Sequence, residues 1–132
     1  MDDQKLIKAA TEAQRPYLAD YSQFPVGAAL LTKSGIIYTG CNIESVSYGL
    51  TICAERVALF KALSADERDF SAIAIVTPQK QECPPCGACR QLLWEFAGNI
   101  QVIMATTQGP VKKMRLAELF PFPFDEGHLP HG

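Results

Sequence analysis

The sequence predicts an α/β fold, a three-layer α-β-α sandwich around a mixed sheet of about five strands. Three observations predict it. Short apolar runs (VGAALLT, GIIYTGCN, SAIAIVT and IQVIMATT) alternate with longer segments of helical periodicity. The first two runs are joined by Lys33-Ser34-Gly35, which reads as a hairpin turn. SAIAIVT is nearly continuous in apolar residues, as in a strand covered on both faces.

In chain order, Leu6, Ile7, Ala10, Ala13 and Leu18 recur at helical spacing and predict a first helix over residues 2–18, perturbed at its end by Pro16. DYSQFP is a turn-forming loop before the hairpin, and NIESVSYGLTI is a polar loop after it. CAERVALFKALSADE predicts a helix with Val57, Leu59, Phe60 and Leu63 on its apolar side. SAIAIVT follows as a strand, then the loop PQKQECPP. CGACRQLLWEFAG is a second helix, ended by Gly98. IQVIMATT is a strand, a further short strand is expected near Val111, and RLAELF is a short helix. The tail PFPFDEGHLPHG has no regular pattern. No repeat or linker divides the chain, so residues 1–132 are expected to form one domain.

Composition narrows the function. Of 132 residues, 48% are hydrophobic, enough for a packed core. The net charge of -2, with no basic run longer than Lys112-Lys113, argues against a nucleic-acid partner. The N-terminus lacks the apolar segment of a signal peptide, and no apolar stretch has membrane-spanning length. The expectation is a cytoplasmic protein without a membrane partner. In a reducing compartment, five clustered cysteines point to metal binding or chemistry rather than disulfides.

Cys53 opens one predicted helix, and Cys86 and Cys89 open another. Three residues apart, Cys86 and Cys89 share a helix face. Helix N-termini stabilise thiolates. Two such starts facing each other would present three sulfurs to one ion. Three thiolates without a fourth protein ligand is the pattern of an open zinc site. The only histidines, His128 and His131, lie in the tail, so the proton carrier must be a carboxylate. Glu55, two residues after Cys53, is the candidate general acid and base. Alone it would be a first-turn acid favourable to the helix dipole. Arg56 and Arg90 follow the ligands directly and are expected to donate N–H groups to the sulfurs, restoring acidity to a thiolate-rich ion. Cys83, before Pro84-Pro85, is a conceivable fourth ligand that would close the site; its position in an extended loop argues against this. Cys41 reads as a small core residue, and Gly87 is expected to keep the space beside the metal small.

FPVGAAL, GCNIE, CAER and PCGACRQ stand in order along the chain. In these four motifs the sequence resembles small, homotetrameric, three-cysteine cytidine deaminases, over about Tyr21 to Phe124. The resemblance implies hydrolytic deamination of cytidine and 2'-deoxycytidine to uridine and deoxyuridine. Hydroxide on zinc attacks C4, and ammonia is released. It implies one zinc per subunit on Cys53, Cys86 and Cys89, with Glu55 shuttling protons and contacting N3. It implies the Ala54 N–H on the base O2, Asn42 and Glu44 on the ribose 3'-hydroxyl, and Phe24 against the nucleoside. The Pro84 carbonyl would take the exocyclic amine, at a position where relatives often carry serine or threonine. Tyr48, Tyr21 and Phe124 match aromatics near the nucleoside, Tyr21 and Phe124 as contacts between subunits. Two other readings stand beside this one: a related deaminase such as one acting on blasticidin S, or a structural zinc-binding module.

Overall fold

The computed structural model describes residues 2–80 and 82–130. Helix α1 (Asp3–Ala13) is capped by the Asp2 carboxylate, which accepts from the Lys5 N–H. It ends five residues earlier than its periodicity predicts. Arg15 precedes Pro16, and the proline ring disfavours helical backbone at that position. The chain restarts as a short 3-10 turn over Pro16–Leu18.

Strands β1 (Gly27–Thr32) and β2 (Ile37–Cys41) form the expected hairpin, with Gly35 in its turn at φ 98°. The polar loop after β2 holds a single bridge between Ile43 and Ile52 and a short 3-10 turn over Tyr48–Leu50. Helix α2 (Ala54–Ser64) leads to β3 (Phe70–Thr77), and α3 (Gly87–Ala97) connects β3 to β4 (Gln101–Thr106). The strand expected near Val111 is β5 (Val111–Arg115), followed by the one-turn helix α4 (Leu116–Leu119). The tail, read as irregular, contains one 3-10 turn at Glu126–His128 that Asp125 caps.

The sheet order is β2-β1-β3-β4-β5. β3 and β4 are parallel and every other neighbouring pair is antiparallel, so the sheet is mixed. Strand alternation divides the core. Ala28, Leu30, Ile73, Ile75, Val102 and Met104 pack with Leu59 of α2, Leu93 of α3 and Leu116 of α4. Ala29, Leu31, Ala74, Val76 and Ile103 face Leu6 and Ala10 of α1. This makes the predicted three layers. Each fully buried leucine contributes roughly 2 kcal/mol.

Two glycines allow helices to press on strand backbone. A Cβ on Gly40 would meet the Ala54 carbonyl oxygen at 2.5 Å and the Ala58 nitrogen at 2.6 Å. One on Gly27 would meet the Ala10 carbonyl oxygen at 1.9 Å. Gly40 therefore fixes how closely the start of α2 approaches the sheet.

Candidate active site

The first residues of α2 and α3 meet. Cys53 is the N-cap of α2, Cys86 is the N-cap of α3, and Cys89 lies in the first turn of α3. None of these caps uses its side chain on its own helix, so the sulfurs are left to one another. The Cys53 and Cys86 sulfurs are 3.8 Å apart, those of Cys86 and Cys89 3.4 Å, and all three lie within 4.8 Å. Tetrahedral zinc at about 2.3 Å from each sulfur would space them by about 3.8 Å. The donor set and its spacing therefore fit zinc. Cys83 stands apart from the group: its thiol donates to the Pro84 carbonyl at 3.6 Å.

Charge is already placed for a cation. The Arg56 Nη2 donates to the Cys53 sulfur at 3.4 Å. The Cys89 thiol and then Arg56 hold the Cys53 thiol down at about 5, a thiolate at neutral pH. The same contact with Cys53, followed by burial, pushes the Cys89 thiol well above the usual range. A metal ion binding here would displace the remaining thiol protons of the group.

Glu55, in the first turn of α2, is 6% exposed. Burial, foremost, pushes its carboxyl up to about 7, and the Cys53 charge adds to this. A carboxyl at that value both accepts and donates a proton near neutrality. It lines a cavity of about 170 Å³ with Phe24, Asn42, Cys53, Ala54, Ile75 and Thr77, among others. Cys83 and Pro84 are also in its wall. Ala54 is the first residue of α2, so its N–H has no acceptor within the helix.

The family model described as cytidine and deoxycytidylate deaminase zinc-binding region matches residues 1–106. The chain belongs to this family. A cytidine deaminase of Halalkalibacterium halodurans is 49% identical over 125 residues, covering 94% of this chain and 95% of that protein. The crystal structure of cytidine deaminase from Burkholderia pseudomallei superposes with a TM-score of 0.89 at 43% identity, covering 94% of this chain and all of that one. A blasticidin-S deaminase of Bacillus cereus is more distant, 32% identical over 92% of this chain and 91% of its own length.

Beside this zinc-deaminase centre, Glu44, Tyr21, Ser22, Tyr48 and Thr51 line a second cavity of about 380 Å³. Thr51 lines both cavities. The Glu44 carboxylate accepts from the Tyr21 N–H at 3.0 Å, the Ser22 N–H at 2.9 Å, the Ser22 hydroxyl and the Asn42 Nδ2 at 3.2 Å. The Ser22 hydroxyl, foremost, holds the Glu44 carboxyl below its ordinary range. Asn42 also donates to the Phe24 carbonyl at 3.0 Å and accepts from the Val26 N–H at 2.8 Å. The pair therefore staples the segment before β1 to the loop after β2. Tyr21 and Tyr48 meet edge to face with ring centroids 6.2 Å apart.

Two positions differ from expectation. Arg90 does not donate to a sulfur: its guanidinium donates to the Pro85 carbonyl at 2.7 Å and the Leu119 carbonyl at 2.8 Å, bracing the loop before α3. A Cβ on Gly87 would meet nothing within 4 Å, so Gly87 does not guard a tight space in this chain. Phe124, expected at a contact between subunits, is stacked on His128 with centroids 5.6 Å apart, and its carbonyl accepts from Gln91 at 2.8 Å. Ser22 and Thr77 were not singled out from the sequence. Ser22 could have been suspected as a hydroxyl in the DYSQFP turn; nothing in the sequence marks Thr77.

Proposed function

We propose that the protein is a zinc-dependent deaminase that converts cytidine and 2'-deoxycytidine to uridine and deoxyuridine with water consumed and ammonia released. The observation that carries this reading is the buried Glu55 carboxyl beside a three-sulfur cation site, in a cavity that also holds Phe24 and Asn42. Zinc, when bound there, supplies a polarised water as nucleophile for C4. Glu55 takes the water's two protons in turn, delivering the first to N3 and the second to the departing amine. The Ala54 N–H holds O2, and the Pro84 carbonyl accepts from the exocyclic amine. Phe24 packs against the base, and Asn42 and Glu44 engage the ribose 3'-hydroxyl. Arg56 keeps charge on Cys53 and tempers its donation to the metal. The Tyr48 ring walls the sugar side.

The same reading makes the working enzyme a homotetramer of cytoplasmic pyrimidine salvage. Exposed aromatics support assembly: Phe122 is 92% and Phe124 57% exposed. Tyr21 and Phe124 would then reach the site of a neighbouring copy. Light scattering after gel filtration tests the assembly. The deciding experiment for function is ammonia release from cytidine, deoxycytidine, cytosine, cytidine monophosphate, adenosine and blasticidin S. Turnover of the first two is expected. Turnover of blasticidin S alone, or of none, refutes the reading.

A further inference from the structure

Packing holds the three zinc-site cysteines unequally. Cys89 is fully buried in the first turn of α3. Cys53 is half-buried and receives the Arg56 Nη2. Cys86 is exposed, at the point where the chain leaves the loop after β3 and enters α3. A metal ligand with little packing around it must be held through its backbone. The loop before Cys86 gives little support of its own. Pro84 and Pro85 carry no N–H and so donate nothing. Among the described residues, hydrogen bonds hold 82–85 at two carbonyls. One is that of Pro84, which accepts from the Cys83 thiol at 3.6 Å, inside the loop itself. The other is that of Pro85, and its donor is Arg90.

Arg90 holds the carbonyl on either side of the Cys86 Cα. Its backbone N–H donates to the Cys86 carbonyl at 2.9 Å, closing the first turn of α3. Its Nε donates to the Pro85 carbonyl at 2.7 Å. Pro85 is fully buried, so its carbonyl needs a partner within the protein. The other arm of the guanidinium, Nη1, donates to the Leu119 carbonyl at 2.8 Å. That carbonyl ends α4 and has no partner inside its own helix. Leu119 packs against the core beside the fully buried Leu116, so this far anchor is set by the core. A planar guanidinium spanning two placed carbonyls has little freedom to move, and the ammonium of lysine, a point charge, does not reproduce that fork.

We propose that Arg90 is a positioning residue for the zinc centre. Through the Pro85 carbonyl it fixes the direction in which Cys86 presents its sulfur, and it takes its footing from the Leu119 carbonyl at the end of α4. Resting on the deaminase reading above, the same brace holds the Pro84 carbonyl, one peptide earlier, where the amine is received. The two arginines that follow the ligands then do different work. Arg56 touches a sulfur and sets its charge. Arg90 acts on the backbone around Cys86 and sets its place.

The test reads the metal before it reads activity. Competition with a chromophoric chelator gives the zinc affinity. Cobalt(II) in place of zinc reports ligand geometry through its d–d and thiolate charge-transfer bands. In Arg90→Lys, at a temperature where circular dichroism shows full folding, zinc affinity falls about tenfold and the cobalt bands shift. Arg90→Met, which lacks both side-chain bonds, loses more, toward about a hundredfold. With zinc saturating, kcat/KM of Arg90→Lys for cytidine also falls about tenfold. Gln91→Ala is the control. The Gln91 side chain holds the tail, at the Phe124 carbonyl, and its loss leaves zinc affinity and cobalt bands as in the wild type. A folded Arg90→Lys with wild-type zinc affinity and cobalt bands would overturn the assignment, even with a lowered thermal midpoint, because a merely structural brace gives that result. Equal zinc loss in Gln91→Ala would also overturn it, by tracing the effect to the tail. If Arg90→Met does not fold, Arg90→Lys decides. The metal readings need no substrate. A wild type that releases no ammonia from either cytosine nucleoside therefore refutes the deaminase reading alone, and unchanged metal readings refute Arg90 alone.

Discussion

Gly40→Ala should damage both stability and catalysis through one contact. The new methyl carbon would sit 2.5 Å from the Ala54 carbonyl oxygen, where ordinary contact begins at 3.4 Å, so the start of α2 must withdraw by about 0.9 Å. The opposing atoms are backbone, together with the Val57 Cβ at 2.9 Å, so no side-chain rotation relieves the clash. Overpacking of this kind costs about 1–3 kcal/mol. The displaced turn carries Cys53 and Glu55. A misplacement of about 1 Å in a catalytic group is worth roughly 100-fold in rate. Denaturant unfolding, zinc per chain and kcat/KM for cytidine, measured on the same preparation, check this. Gly27→Ala is the matched comparison. Its methyl would strike the Ala10 carbonyl oxygen of α1, on the opposite face of the sheet from the site. It should destabilise at least as much and lose far less turnover. Wild-type stability and kcat/KM in Gly40→Ala would refute the reasoning, as would equal rate losses in the two variants.

Glu55→Gln should remove nearly all turnover, about 1000-fold or more, while retaining zinc. In chelated protein it should also change the pH dependence of stability. Burial raises the folded-state carboxyl from 4.5 to about 7, so the folded state binds the proton more tightly. Wild-type stability therefore falls as pH rises through that window. Above it the cost is fully present, roughly 3 kcal/mol at about 1.4 kcal/mol per pH unit. Denaturant titrations should find the glutamine variant more stable at pH 8, with the difference vanishing near pH 4.5. Glu44→Gln should raise KM for cytidine and lower the thermal midpoint, because an amide NH2 would face donors that now point at a carboxylate. An unchanged midpoint in a thermal melt would refute that role as a staple.

Much of the fold was legible because its signals are local. Alternation, helical spacing and the Lys33-Ser34-Gly35 turn need only a few neighbouring residues. The cysteine grouping was legible for a similar reason: a Cys-x-x-Cys at a helix start allows few alternatives, and Cys53 opens the other helix. The early end of α1 was less visible, because the Arg15-Pro16 restriction competes with apolar spacing that continues to Leu18. Arg90 was misjudged because adjacency to Cys89 says nothing about reach. Its side chain spans to Leu119, a contact set by how α4 packs on α3. Thr77 was invisible because only the register of β3 brings it to the cavity wall.

The hydrogen bonds around Glu44 limit what the proposed sugar site can accept. A carboxylate offers about four lone-pair positions. Tyr21, Ser22 through both its N–H and its hydroxyl, and Asn42 occupy that many. Both Asn42 amide hydrogens are also engaged, on Phe24 and Glu44, which leaves one lone pair on its Oδ1 beside the bond from the Val26 N–H. The pair therefore has room for a hydroxyl that donates, at Asn42 or in place of the rotatable Ser22 hydroxyl. It has no donor to offer a phosphate. Glu44 stays ionised below the usual carboxylate range, so a phosphate on the 3'-oxygen would bring like charge against it. If Asn42 and Glu44 hold the sugar, the pair disfavours an internal nucleotide of a polynucleotide, and would do so even on a basic surface. A free 3'-hydroxyl is what the proposed site can receive, and a nucleoside presents one.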